Sequence, residues 1–79
     1  MTHVIAPEVP VRGEIKLGQF LKLAGLVDDG AEARIAIQGG DVTVCGRVET
    51  RRGRRLVDGD LVVVDQPSGP VGAVVSSQG

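Results

Sequence analysis

The chain has 79 residues, of which 42% are apolar and 24% charged, so we expect one small folded domain and exclude a two-domain enzyme, a fibrous protein and wholesale disorder. Its longest apolar run, Leu61 to Val64, is far shorter than the roughly 18 residues that a membrane-spanning helix needs, and residues 1–10 lack the pattern of a secretory signal. A single cysteine excludes an internal disulfide, and with only one histidine the sequence predicts no metal site. We expect a cytoplasmic protein without a cofactor.

The charge is unevenly distributed along the chain. The formal net charge is −1, yet residues 47–55 carry five arginines and one glutamate, a local charge of +4. Residues 1–46 carry −2 and residues 56–79 carry −3. A local excess of positive charge attracts polyanions, because each phosphate contact releases condensed counterions whatever the overall charge of the protein. The sequence therefore predicts a basic site in an otherwise acidic chain.

The first predicted helix follows an N-terminal arm, residues 1–12, and a short strand or ordered segment at residues 13–15. Apolar residues recur at the helical spacing i, i+3, i+4 and i+7, which predicts one buried stripe: Leu17, Phe20, Leu21 and Ala24. Polar residues lie on another face of this helix: Lys16, Gln19 and Lys22. Gly25 ends the helix, because glycine accepts the left-handed conformation of a C-terminal cap.

The second predicted helix runs from about Gly30 to Gln38. Asp29 and Glu32 have the spacing of a capping box at its start, and the pair Gly39-Gly40 ends it. Its inward stripe contains three small or aliphatic residues: Ala33, Ala36 and Ile37. Arg34 points away from this stripe.

The second half of the chain has the pattern of short strands. Residues 42–45 and 47–50 are predicted to form a hairpin whose turn is Cys45-Gly46. The arginine loop, residues 51–55, follows, and Asp58-Gly59 is a second turn before a strand at residues 61–64. We expect residues 13–65 to form the folded domain and residues 66–79 to be a tail or an edge strand. The predicted fold class is α+β, with two short helices packed on a small, twisted, mainly antiparallel sheet.

No residue is predicted to be catalytic. His3 lies near the N-terminus and Cys45 in a turn without a neighbouring histidine, so neither is interpreted as a nucleophile or a base. The acidic pairs are explained as helix caps and turns: Asp28 with Asp29, and Asp58 with Asp60. The 12 glycines form neither a phosphate loop nor a dinucleotide fingerprint. The sequence thus favours a binding protein over an enzyme.

The arginines indicate what is bound. All cations of residues 47–55 are Arg, whose planar fork pairs bidentately with phosphate, whereas solubility alone would accept Lys equally well. Phe20 is the only aromatic residue and lies on an apolar stripe, so platforms that stack single-stranded bases are excluded. DNA readout ranks lower, because Arg34 is the only cation on the second helix. The expected ligand is structured RNA, contacted through its phosphates.

Several elements follow one another in a fixed order between residues 15 and 60: a helix ending in Gly25-Leu26, a helix with Glu32-Ala33 and Ile37, the run Gly40-Asp41-Val42-Thr43-Val44-Cys45-Gly46, and Gly59-Asp60. In this order they resemble the S4 RNA-binding domain family, which occurs in ribosomal protein S4, pseudouridine synthases and tyrosyl-tRNA synthetases. Within the family the chain is most similar to small stand-alone bacterial members, in which the domain is nearly the whole protein.

The resemblance implies the αL motif, with RNA lying across the helices and nearby loops, and bacterial ribosomal or transfer RNA, or a ribosomal subunit, as the partner. The chain departs from the family at Lys16-Leu17-Gly18, at Asp29-Gly30, where many members have Ser-Arg, and at Cys45-Gly46, where many have Asn-Gly. The absent arginine at position 30 implies more reliance on the arginine loop. The expected RNA footprint is Lys16, Gln19, Lys22, Arg34, Arg47, Arg51, Arg52, Arg54 and Arg55.

Three functional hypotheses follow. The first is a non-enzymatic protein that binds structured RNA, either ribosomal or transfer RNA, and contacts no membrane. The second is a protein-interaction module that docks on a ribonucleoprotein assembly, with the acids from Asp58 to Asp65 repelling free RNA. The third is a ubiquitin-like sulfur carrier, which the short chain and its final glycine suggest. However, Gln78-Gly79 lacks the usual Gly-Gly ending, and this hypothesis gives the arginine loop no role.

Overall fold

The structure is a computed structural model that describes residues 6–78. It contains two helices, α1 (Leu17–Leu23) and α2 (Gly30–Gln38). Its strands are β1 (Glu8–Val11), β2 (Ile15–Lys16), β3 (Val42–Val44), β4 (Arg47–Val48), β5 (Arg55–Leu56), β6 (Leu61–Gln66) and β7 (Gly69–Ser77). Within residues 6–78, no helix is both long enough and apolar enough to cross a membrane.

The strands form two sheets. Among residues 6–78, the larger has five strands in the order β1-β7-β6-β3-β4, of which β1 and β7 pair in parallel and the others antiparallel. The smaller is the antiparallel pair of β2 and β5. The predicted α+β class with a mainly antiparallel sheet is therefore confirmed. The short strand β5 was not predicted, because Arg55 belongs to the predicted arginine loop and the partner strand, β2, comes from the residues before α1.

The core contains the predicted helix stripes. Leu17, Phe20 and Leu21 are fully buried, and so is Ile37 of α2. Valines from β3, β6 and β7 belong to the same hydrophobic cluster and are the part of it that the sheet contributes. Phe20 is 0% exposed, so its ring is a core side chain and presents no surface on which a base could stack.

The start of α2 is fixed by the predicted cap. The backbone N–H of Glu32 donates to Asp29 Oδ1 at 2.8 Å. The return bond of the capping box is shifted by one residue, because Glu32 Oε2 accepts the N–H of Asp28, at 3.4 Å, in place of that of Asp29. The cap fixes the first turn of α2, and Gly30 and Ala33 of this turn line one side of the candidate site.

The predicted tail after Asp65 is corrected by the structure. Residues 69–77 form β7, which lies inside the sheet between β6 and β1 and is neither a tail nor an edge strand. The breaker cluster at residues 67–70 forms a hairpin in which Gln66 pairs with Gly69, whose φ is +122°. Part of the N-terminal arm is strand β1 at the edge of the sheet, and it covers the outer side of β7. His3 lies outside the described residues.

Candidate nucleic-acid interface

A basic groove of about 340 Å³ lies between α1, the start of α2 and the arginine loop. We use the name basic groove for the space lined by Lys16, Gly18, Gln19, Lys22, Gly30, Ala33, Arg52 and Gly53. Within the described part of the chain, this lining has three cationic side chains and one amide, and it includes no acidic and no aromatic residue. Three of its residues are glycines, which allow a ligand to approach the backbone closely.

Helix α1 supplies three of the polar side chains. Lys16, Gln19 and Lys22 follow one another at intervals of three residues, which places them on one face of the helix, opposite the buried stripe. Gln19 also holds the start of α1, because its Oε1 accepts the backbone N–H of Lys16 at 3.1 Å. The same residue therefore caps the helix and faces the groove.

The arginine loop is attached to the start of α1 by its backbone. The N–H of Leu17 donates to the carbonyl of Arg54 at 2.8 Å, and the N–H of Gly18 donates to the carbonyl of Arg52 at 3.1 Å. These loop carbonyls satisfy two of the N–H groups that a helix leaves unpaired at its N-terminus. The loop is thus fixed against α1, and Arg52 enters the groove.

Glu49 is a buried acid that the sequence interpretation missed. It is 6% exposed, and its carboxylate accepts hydrogen bonds from Arg51 Nε at 3.1 Å, Arg51 Nη2 at 3.2 Å and Arg54 Nη1 at 3.1 Å. The backbone N–H of Arg51 also donates to it, at 3.1 Å. The signal in the sequence was a single glutamate beside a run of arginines. Two of the predicted RNA-binding arginines are therefore engaged with this acid.

Hydrogen bonds from Arg51 keep Glu49 ionised. The side-chain hydrogen bond from Arg51 lowers the pKa of Glu49 most, the hydrogen bond from the backbone N–H of Arg51 comes next, and Arg54 adds a further hydrogen bond. Together they lower the pKa of Glu49 from 4.5 to about 2, although burial of the carboxyl raises it. Glu49 is thus a charged partner for both arginines at neutral pH.

We expect the stability that Glu49 contributes to depend on pH. Because its pKa in the folded state, about 2, lies below its ordinary value of 4.5, this contribution is complete above about pH 4.5 and is lost as pH falls toward 2. This contribution is measured by urea unfolding of the wild type and of Glu49→Gln at several pH values between about 6 and 2. The stability difference between the two proteins should shrink over this interval, and a difference independent of pH would contradict the prediction.

The other predicted arginines lie outside the basic groove. Arg55 Nη1 is 3.4 Å from Glu14 Oε1 in an exposed ion pair, which contributes little to stability. Arg34 is exposed on α2, one turn beyond Gly30 on the same face, so it flanks the groove. Arg47 lies on β4 at the edge of the sheet. Of the nine predicted site residues, the structure brings four together in the groove: Lys16, Gln19, Lys22 and Arg52.

Three of the four aspartates that the sequence analysis considered accept hydrogen bonds from the backbone: Asp29, Asp58 and Asp60. Asp60 Oδ2 accepts the N–H of Val57 at 2.9 Å, and Asp58 Oδ1 accepts the N–H of Ser77 at 2.7 Å. Asp58 therefore holds the end of β7 rather than its own turn. Cys45 is exposed, with its Sγ 3.5 Å from Asp60 Oδ1. Among residues 6–78, no three His, Cys, Asp or Glu side chains come together as metal ligands.

This arrangement, a small α+β domain with a basic groove beside two helices, corresponds to a known domain class. The family model of the S4 domain matches residues 10–71, most of the chain, and the chain therefore belongs to the S4 domain family. This confirms the resemblance seen in the residues.

Two relatives refine this assignment. The "Probable ribosome maturation protein RlbA" of Bacillus subtilis is 41% identical over 51 residues, which cover 65% of this chain and 72% of that protein. The "Putative RNA-binding protein YbcJ" of Escherichia coli is 46% identical over 48 residues, which cover 61% of this chain and 69% of that protein. The chain thus matches most of the length of two small proteins.

Proposed function

We propose that this protein binds structured RNA in the cytoplasm through phosphate contacts in the basic groove, without catalysing a reaction. The observation that carries the proposal is the groove lining: Lys16 and Lys22 of α1 and Arg52 of the arginine loop border one space, and no acidic residue among residues 6–78 lines it. A phosphodiester chain is a polyanion, and cations grouped in this way gain affinity by releasing its counterions. Membership of the S4 domain family and the names of both relatives support RNA as the ligand.

The groove favours the backbone of RNA over its bases. Its glycines allow a sugar-phosphate chain to approach the protein backbone, and no aromatic side chain lines it. Such a site recognises the shape of a helix or a junction more than its sequence. Ribosomal RNA is the first candidate because one relative is named as a ribosome maturation protein, and transfer RNA is the second.

A direct titration tests the proposal. The purified protein is titrated into a fluorescently labelled structured ribosomal RNA fragment and into labelled transfer RNA, each at low and at near-physiological salt. We expect saturable binding. The logarithm of the affinity should fall linearly with the logarithm of the salt concentration. Absence of binding at low salt would overturn the proposal and favour docking on a protein partner.

Gly30→Arg is expected to strengthen RNA binding by about fivefold to tenfold. Position 30 lines the groove, and a Cβ added there meets no atom of the rest of the protein beyond its own helix turn within 4 Å, so an arginine is accommodated and adds one phosphate contact. The control is Gln38→Arg, which adds the same charge at the exposed, opposite end of α2. Both variants are titrated with the same RNA. Equal gains from the two would show that only net charge matters and would contradict a localised site.

A further inference from the structure

We infer that Glu49 is a positioning residue: it holds the arginine loop through Arg51 and Arg54, so that a third arginine of the loop, Arg52, contacts the ligand. The inference rests on the proposed function, since the ligand meant is RNA phosphate. A run of arginines in a sequence suggests several equivalent contacts. Their surroundings in the structure differ, and these differences assign separate roles.

The first observation is the set of partners of the carboxylate. Glu49 accepts four hydrogen bonds, three from Arg51 and one from Arg54. The guanidinium of Arg51 uses its planar fork on both carboxylate oxygens, a geometry that lysine cannot reproduce. Both guanidinium groups are thus held by the buried carboxylate, and neither arginine is among the residues that line the basic groove.

The second observation is how the held loop meets α1. Glu49 is joined to β3 by the bond from its N–H to the carbonyl of Val42, at 3.0 Å, and the loop carbonyls of Arg52 and Arg54 accept the first N–H groups of α1. The backbone of Glu49 is therefore bonded to the sheet and its carboxylate to the loop, and the loop is in turn bonded to the helix. Movement of the loop would break bonds at each of these places.

The third observation concerns Arg52. A Cβ added at Gly18 would lie 3.2 Å from Arg52 Cγ and 3.6 Å from its carbonyl oxygen, so the stem of this arginine packs closely over α1 where a side chain is absent. Arg52 is also the only arginine of the loop that lines the basic groove, together with Lys16 and Lys22. Glycine at position 18, a departure from the family pattern, thus makes room for the contact residue.

The inference is tested by removing one negative charge and measuring whether RNA affinity rises or falls. Glu49→Gln and Glu14→Gln each remove one negative charge that is paired with an arginine of residues 51–55. If the loop acts through charge alone, both variants bind RNA more tightly. If Glu49 positions Arg52, Glu49→Gln weakens binding by about fivefold, although the protein becomes more positive, while Glu14→Gln strengthens it up to about twofold.

The arginines themselves are compared in single variants, two of which remove the same charge. Arg52→Gln is expected to weaken binding by about tenfold and to lower the salt slope by about one. Arg47→Gln, on the edge strand outside the groove, should change affinity by less than about twofold. Arg51→Lys keeps the charge but loses the fork, and is expected to weaken binding about twofold to threefold. Circular dichroism and cooperative urea unfolding establish that each variant is folded.

A measurement without RNA separates failure of this inference from failure of the proposed function. Amide hydrogen exchange at Leu17 and Gly18 reports the bonds to the loop carbonyls. We expect exchange there to be about tenfold faster in Glu49→Gln and in Arg51→Lys than in the wild type, and unchanged in Glu14→Gln and Arg52→Gln. Wild-type protein that binds no RNA would overturn the proposed function. Unchanged exchange in Glu49→Gln, or tighter RNA binding by it, would overturn the positioning role.

Discussion

Replacing Phe20 with alanine is expected to lower the free energy of unfolding by about 3–5 kcal/mol, the largest stability effect we predict for a single residue. The ring is fully buried between the helices and the sheet and is the largest of the fully buried side chains. Its removal loses transfer free energy and leaves a cavity that the surrounding valines and leucines fill only in part. A domain of this length has a total stability of roughly 4–12 kcal/mol, so the variant is close to unfolding.

Urea denaturation measures this change through the midpoint and the slope of the transition. The matched control is Ile35→Ala on α2, which removes an apolar side chain that is 72% exposed and should change stability by less than about 0.5 kcal/mol. Equal effects of the two substitutions would show that Phe20 is not in the core. RNA binding by the fraction of Phe20→Ala that remains folded should be unchanged, because the ring does not reach the groove surface.

Neutralising the three cations of the basic groove together is expected to reduce RNA affinity by about two to three orders of magnitude. Lys16→Gln, Lys22→Gln and Arg52→Gln each remove one phosphate contact from the same space. The salt slope should fall by about two to three, because RNA binding releases about one counterion fewer for each phosphate contact that is lost. Folding should be little affected, since Lys16 and Lys22 are exposed and the loop keeps its bonds to α1.

The control for the triple variant removes the same charge elsewhere. Arg12, Arg47 and Arg55 are exposed and do not line the groove. Changing these three to glutamine should weaken binding by about tenfold or less, through the long-range field alone. The comparison is made by titration of both variants at several salt concentrations. If both lose affinity equally, RNA is bound by the net charge of the surface and not by the basic groove.

Local features of the sequence predicted the helices and one hairpin turn. The apolar stripe that contains Phe20 predicted α1, and Asp29 predicted the first residue of α2 correctly because a helix cap depends on groups within one turn. The turn at Cys45-Gly46 was predicted from a glycine, and both residues have positive φ, +51° and +85°. The order of these elements also identified the family, which the comparison confirms.

The place of the C-terminal segment was decided by tertiary structure. Residues 69–77 contain glycine, proline and serine among their valines, and read alone they indicated a tail or an edge strand. Strand β7 gains a partner on each side, β6 through a hairpin and β1 from the opposite end of the chain. Pairing with a strand about 65 residues away leaves no periodic signal in either segment, so sequence reasoning had no means to detect it.

The sequence by itself determined the family, the helices with their buried stripes, and the presence of a basic segment, because these depend on residue type and on spacings of a few residues. Only the tertiary structure decided which basic residues face a common space. It brings Arg52 beside Lys16 and Lys22, and it directs Arg51 and Arg54 to Glu49. The physical reason is that an arginine pairs with whichever anion the fold places within reach, and that choice depends on groups brought together by the backbone of the whole domain.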